Sequence, residues 1–145
     1  MAMQVAGDQR AGAEVYYGSE ACKAKSVELL ELMGLPKGLL PLEELEESGY
    51  VKETGYVWLK QKKKVDHRFK KIGKTVSYAP EITAYVEKHK MKKLTGVKSK
   101  EILLWVTICE ISIDENSSEK IYFKSSTGIG RSFPVSAFEL EEEKD

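Results

Sequence analysis

Scarcity narrows this chain first: its 145 residues include only two cysteines, two histidines, two tryptophans and four prolines. Cys22 and Cys109 are too few for the disulfide framework of a small secreted scaffold or for a multi-cysteine zinc site, and they read as reduced thiols. No close ligand pair such as Cys-x-x-Cys joins them or the histidines, so neither a metal nor another cofactor is expected. A Gly-x-Ser-x-Gly nucleophile elbow is missing, and so is a phosphate loop. Gly128-Ile129-Gly130 lacks the third glycine and the following helix of a dinucleotide fingerprint. The first 17 residues carry Asp8, Arg10 and Glu14 and hold no apolar run long enough for a signal peptide or a membrane span, which leads to the expectation of a cytoplasmic protein. With 41% hydrophobic residues, the chain has apolar material for one core and one domain.

Charge is present in quantity and balanced, 23 basic residues against 23 acidic, but it is segregated. Residues 60–100 hold 14 Lys or Arg against three acids, Asp66, Glu81 and Glu87, a local net of +11 that the rest of the chain must offset with −11. The basic middle is either a solvated face neutralised by the acidic flanks or a surface for an anionic partner such as a lipid membrane. Nucleic acid is not the expected partner, because alternation spreads many of these lysines along the outer face of a strand and the whole chain is neutral.

Along the chain, residues 1–18 lack apolar periodicity and suit a flexible tail. Ser19 is a suitable N-cap for an amphipathic helix over residues 20–33, with Val27, Leu30 and Met33 or Ala24 on one face and Gly34 as its stop. The prolines and glycine of residues 35–41 then enforce an apolar turn. Residues 42–48 fit either a helix or a short edge strand. From Tyr56 onward the period shortens to two. Val65, His67 and Phe69 alternate with charge, and Ile82, Ala84 and Val86 alternate with Thr83, Tyr85 and Glu87. Residues 102–109 are apolar on both alternating faces, which predicts a strand covered on two sides, by the sheet's own core and by the helix, a partner or a ligand cavity. A turn over residues 114–118 and returning strands complete a meander. An acidic tail is expected over residues 140–145, leaving one domain over 19–139.

The candidate ligand residues follow from that pattern. An amphipathic or hydrophobic small molecule, lipid-like or tetrapyrrole-like, needs apolar walls and a few polar anchors. Tyr56, Trp58, Phe69 and Trp105 are the expected wall residues, and Lys62, Lys64 and Arg68 the expected anchors for an anionic head. Catalysis has a weaker basis. A catalytic reading would need a serine of residues 125–130 to meet His67 or His89 with Asp66 in space, but Ser, Thr and Gly between strands are better explained as turn chemistry. His67, sharing a face with Val65 and Phe69, is expected to be partly buried, and His89, among lysines, to be solvated.

Five segments occur in order: Leu35-Pro36-Lys37-Gly38-Leu39-Leu40-Pro41, Glu53-Thr54-Gly55, Tyr78-Ala79-Pro80-Glu81-Ile82-Thr83, Gly96-Val97-Lys98 leading into Lys100-Glu101-Ile102-Leu103-Leu104-Trp105-Val106, and Phe133-Pro134-Val135-Ser136-Ala137-Phe138-Glu139. Together they resemble the plant proteins of the domain of unknown function 538 family. The resemblance implies a compact β-barrel-like fold with a helix and a kinship with lipid-binding bactericidal/permeability-increasing proteins. It also implies, in competition, hydrolysis of esters such as chlorophyll, and links to stress and trichome development. It implies no catalytic residue. Joined to the alternation above, it leads to a mainly β expectation: an antiparallel meander closing into a barrel-like or strongly curved sheet, with one N-terminal amphipathic helix packed on it. The expected function is non-enzymatic ligand binding, with ester hydrolysis as the alternative; the oligomeric state stays open.

Overall fold

The computed structural model describes residues 9–114 and 117–139. Among them nine strands form one antiparallel sheet: β1 (Glu14–Tyr17), β2 (Leu45–Val51), β3 (Tyr56–Gln61), β4 (Val65–Phe69), β5 (Lys74–Glu87), β6 (Lys90–Lys100), β7 (Trp105–Asp114), β8 (Ser117–Ser125) and β9 (Gly130–Pro134). Helix α1 (Ser19–Leu32) precedes β2, and a 3-10 turn (Val135–Phe138) follows β9. The path is the expected meander with one departure: β3 and β4 lie end to end along the same side of β5. Tyr56 to Lys60 face Tyr85 to Glu81, and Val65 to Phe69 face Tyr78 to Lys74.

The mainly β, antiparallel architecture with its helix is as expected. The expected closure is not: the sheet runs open from β1 to β9 and is neither closed nor strongly curled. A barrel buries its inner face by curling, whereas here separate elements supply the second layer. Leu29, Leu30 and Met33 of α1 and its C-terminal turn, with Leu35 and Leu40, cover Val57, Leu59, Ile82, Ala84, Val86 and Met91, leaving about 20 Å³ of space between them. Beside them lies the segment holding Leu39 and Leu42. Its Leu39 carbonyl accepts a 2.8 Å hydrogen bond from the hydroxyl of buried Tyr78, and burial pushes that phenol far above its ordinary pKa. Phe138 of the 3-10 turn comes next, packed on Phe69 at 4.7 Å and on Phe123 at 5.2 Å.

The gap between β3 and β4 lies opposite Pro80, which has no N–H to give to a ladder. Gln61, 3% exposed, fills it: its amide nitrogen lies 3.0 Å from both the Tyr78 and Ala79 carbonyls, and its amide oxygen accepts from the Glu43 N–H at 3.3 Å. One side chain thus satisfies three backbone groups where the strands cannot.

Several expectations are corrected. Residues 14–17, assigned to a flexible tail, form edge strand β1, because β2 offers them an open ladder from Tyr50 to Glu47. The remainder of that tail before Gln9, and residues 140–145, lie outside the described residues. Gly18 stands at the N-cap and Ser19 is already helical, with no side-chain cap bond. The ambiguous residues 42–48 enter β2 from Leu45. The turn expected over 114–118 is narrower, since Asp114 and Ser117 are strand partners; residues 115 and 116 lie outside the described residues. His89 is half-buried instead of solvated: its ring packs on Gly34 and its N–H donates to the Met33 carbonyl at 2.7 Å, tying the β5–β6 turn to the end of α1.

Candidate functional site

The covering layer runs out before the sheet does. At the end where β4 turns into β5, β6 into β7 and β8 into β9, the core face is left as an open groove of about 490 Å³, within the roughly 300–1,000 Å³ typical of small-molecule sites. Its base follows from register. Val76 stands opposite Ser99, Ser99 opposite Val106, and Ile108 opposite Ser125, and directly opposed residues share a face. Phe123, Phe133 and Phe138 continue this lining on one side, and the Ser125 and Thr127 hydroxyls share a 2.7 Å hydrogen bond at its wall.

The mouth is both apolar and charged. Residues 101–104 form the β6–β7 hairpin tip, outside the last pair Lys100–Trp105 and closed by a Glu101 N–H bond to the Leu104 carbonyl. Ile102 is 94% exposed, Leu103 90% and Leu104 60%. This corrects the expectation of a strand over residues 102–109 covered on both sides: Val106 and Ile108 face the groove from β7, while Ile102, Leu103 and Leu104 stand outside the strand as an exposed tip that lines the groove's rim. At the root of the tip, the Glu101 carboxylate lies 3.1 Å from Lys74 and 3.3 Å from Arg131. One anion therefore joins two cations carried by β5 and β9, across the groove from each other in chain order.

The seven expected ligand residues are placed elsewhere. Tyr56 and Trp58 lie on the opposite sheet face, because Val57 and Leu59 take the core side. Trp58 is 2% exposed; its indole N–H donates to Glu47 at 2.6 Å, and Arg10 stacks 4.3 Å from the ring centroid. Phe69 is core and reaches the groove only through Phe138. Trp105 begins β7 on the outer face, 5.9 Å from the Lys100 ammonium. Lys62 and Lys64 sit in the exposed break between β3 and β4, Lys64 3.9 Å from Asp66, and Arg68 points outward from β4. Lys74, Glu101 and Arg131 escaped sequence reasoning because only the sheet register brings them together; the alternation of Val106 and Ile108 with Trp105 and Thr107 was the one available signal.

For hydrolysis the geometry is unhelpful. Asp66 and His67 are neighbours on β4 and emerge on opposite faces, Asp66 exposed and His67 half-buried, its ring centroid 4.6 Å from that of Phe69 in an edge-on packing. No histidine is among the described residues that line the groove. No cluster of three metal-ligating side chains occurs among the described residues either, and no described helix is long and apolar enough to cross a membrane.

Comparison with curated proteins and with solved structures returns no match. The family model described as "Protein of unknown function, DUF538" matches residues 26–139, from the middle of α1 to the end of the 3-10 turn and so across every residue of the groove. On that match, the chain belongs to the DUF538 family.

Proposed function

We propose that this protein is a non-enzymatic binding module for an amphipathic small molecule, lipid-like or tetrapyrrole-like. Its apolar part lies in the groove over Val76, Val106, Ile108 and Phe123, and its anionic head meets Lys74 and Arg131. The observation that carries this reading is the end of the core face left open where α1, the following loop and the 3-10 turn stop. An apolar face of this kind is normally covered, and here none of the described elements covers it at the point where two cations stand. The kinship with bactericidal/permeability-increasing proteins that the family resemblance implies would agree with such a ligand. No observation favours ester hydrolysis over binding.

The test is titration with dansyl-undecanoate, followed by probe fluorescence. Wild type should bind one equivalent saturably. Val106→Glu should abolish binding by placing a charge in the apolar base, and Arg131→Gln should weaken it by about twofold, since the exposed guanidinium is screened by solvent. Equal binding by wild type and Val106→Glu would remove the groove as the site. Native mass spectrometry of protein from its natural tissue would identify the physiological occupant.

A further inference from the structure

We propose that the grooved end of the sheet docks on an anionic membrane surface, with the β6–β7 hairpin tip as its apolar foot. Three hairpin turns, residues 70–73, 101–104 and 126–129, close this end. Their tips present Ile102, Leu103 and Leu104, and on the β8–β9 turn Ile129, which is 73% exposed. Turns in water favour polar residues and glycine, and three aliphatics left this exposed at the groove's rim are not accounted for by packing among the described residues. The same end of the sheet carries Lys70 and Lys71 in the first turn, Lys74 at the start of β5, Lys98 and Lys100 on β6, Lys124 on β8 and Arg131 on β9. Glu101 is the only acid within residues 70–74, 98–105 and 124–131, and it is already paired with Lys74 and Arg131.

An apolar tip at a sheet end that carries seven cations, two of them paired with Glu101, matches a layered target, hydrocarbon beneath a sheet of negative charge, which is what an anionic bilayer presents. A protein surface would have to supply an apolar pocket inside a ring of acids to fit equally well. Trp105, partly exposed at the base of the tip and close to Lys100, sits where interfacial tryptophans sit, between apolar tails and headgroups. Lys62, Lys64 and Arg68, the cations expected from sequence to anchor an anionic head, lie instead in and beside the exposed break between β3 and β4. Docking goes beyond ligand binding in the groove and does not require it, although it would set the groove mouth against the lipid.

Large vesicles of phosphatidylcholine, with and without phosphatidylserine, test this with the full chain at low salt. Wild type should sediment with the anionic vesicles and shift its tryptophan emission to the blue. That shift reports Trp105, since the other tryptophan, Trp58, is already buried. Lys70→Gln, Lys71→Gln and Lys100→Gln together should lower partitioning by about a hundredfold. Ile102→Ser, Leu103→Ser and Leu104→Ser together should lower it by at least about tenfold and remove the blue shift. The unfolding midpoint should stay unchanged, because these side chains are exposed in the free protein. The triple change Lys62→Gln, Lys64→Gln and Arg68→Gln should cost no more than about threefold, as charges outside the contact are screened. Val106→Phe, which fills the groove, should keep vesicle binding while losing dansyl-undecanoate, so failure of docking and failure of ligand binding are read separately. Absence of wild-type binding to anionic vesicles, or a serine variant that sediments like wild type, would overturn the proposal. So would concentration-dependent self-association that the serine variant abolishes, which would make the tip a contact between copies.

Discussion

Replacing Glu101 by glutamine should tighten the binding of an anionic amphiphile, because Glu101 occupies the cations that the ligand's head needs. In the free protein its carboxylate lies 3.1 Å from Lys74 and 3.3 Å from Arg131. A bound carboxylate must displace it from at least one of them or share them at the cost of like-charge repulsion. The Lys74 pair is the better sheltered, with both side chains less than a quarter exposed, whereas Arg131 is 61% exposed and its pair is strongly screened. Allowing about 1 kcal/mol for the first pair and a few tenths for the second, removal of the competitor should raise affinity for decanoate by about five- to tenfold. The change keeps the side-chain shape and the Glu101 backbone bond to Leu104, so the tip should be undisturbed. Folding stability should fall by no more than about 1 kcal/mol, read from the urea midpoint. Competition against dansyl-undecanoate measures the affinity, with decanol as the uncharged control that should not respond. If decanoate affinity is unchanged or lower in Glu101→Gln, or if decanol gains equally, Lys74 and Arg131 are not the head-group anchors.

Two further predictions concern the scaffold that holds the groove. Gln61→Leu should destabilise the fold by about 3 kcal/mol in urea denaturation, since it strands the Tyr78 and Ala79 carbonyls and the Glu43 N–H together; a loss under about 1 kcal/mol would show that water replaces the side chain without difficulty. Tyr78→Phe should cost about 1 kcal/mol at neutral pH by leaving the Leu39 carbonyl without its donor. It should also flatten alkaline unfolding. Burial raises the folded-state pKa, so the contribution is intact below the unfolded-state value of about 10 and declines above it, by up to about 1.4 kcal/mol per pH unit. Stability curves of the two proteins that run parallel above that pH would contradict this.

Much of the fold is local, and was legible for that reason. The alternation of Val65, His67 and Phe69 and of Ile82, Ala84 and Val86 forces strands with one inward face whatever surrounds them, and β4 and β5 bear this out. The helix ending near Gly34 and the apolar turn after it follow from propensity and from the prolines in the same way. The family-like segments were recognisable in order, but what they do is a matter of contact. Gly38 donates its N–H to the Phe138 carbonyl at 2.8 Å, and a Cβ there would come within 2.5 Å of that oxygen, so the first segment must lie bare against the last. Gly96, at a φ of 85° that favours glycine, meets the Glu81 carbonyl of the third segment as closely. The first, third and last segments and Gly96 of the fourth are thus joints of the scaffold, while Glu101 to Leu104 and Val106 of the fourth line the groove.

Periodicity reports which residues share a face, and does not report where the layer covering that face ends. Residues 102–109 read as a doubly covered strand because apolar runs usually mark burial. The pair Lys100–Trp105 turns the chain back at that point and leaves residues 102–104 outside the sheet. Tyr56 and Trp58 looked like cavity walls, but Val57 and Leu59 occupy the core side and send them to the other face. Lys74, Glu101 and Arg131 meet only through antiparallel register summed across β5 to β9. The open groove itself was decided by tertiary structure, because it exists only where α1, the loop after it and the 3-10 turn are together too short to reach the end of a longer sheet.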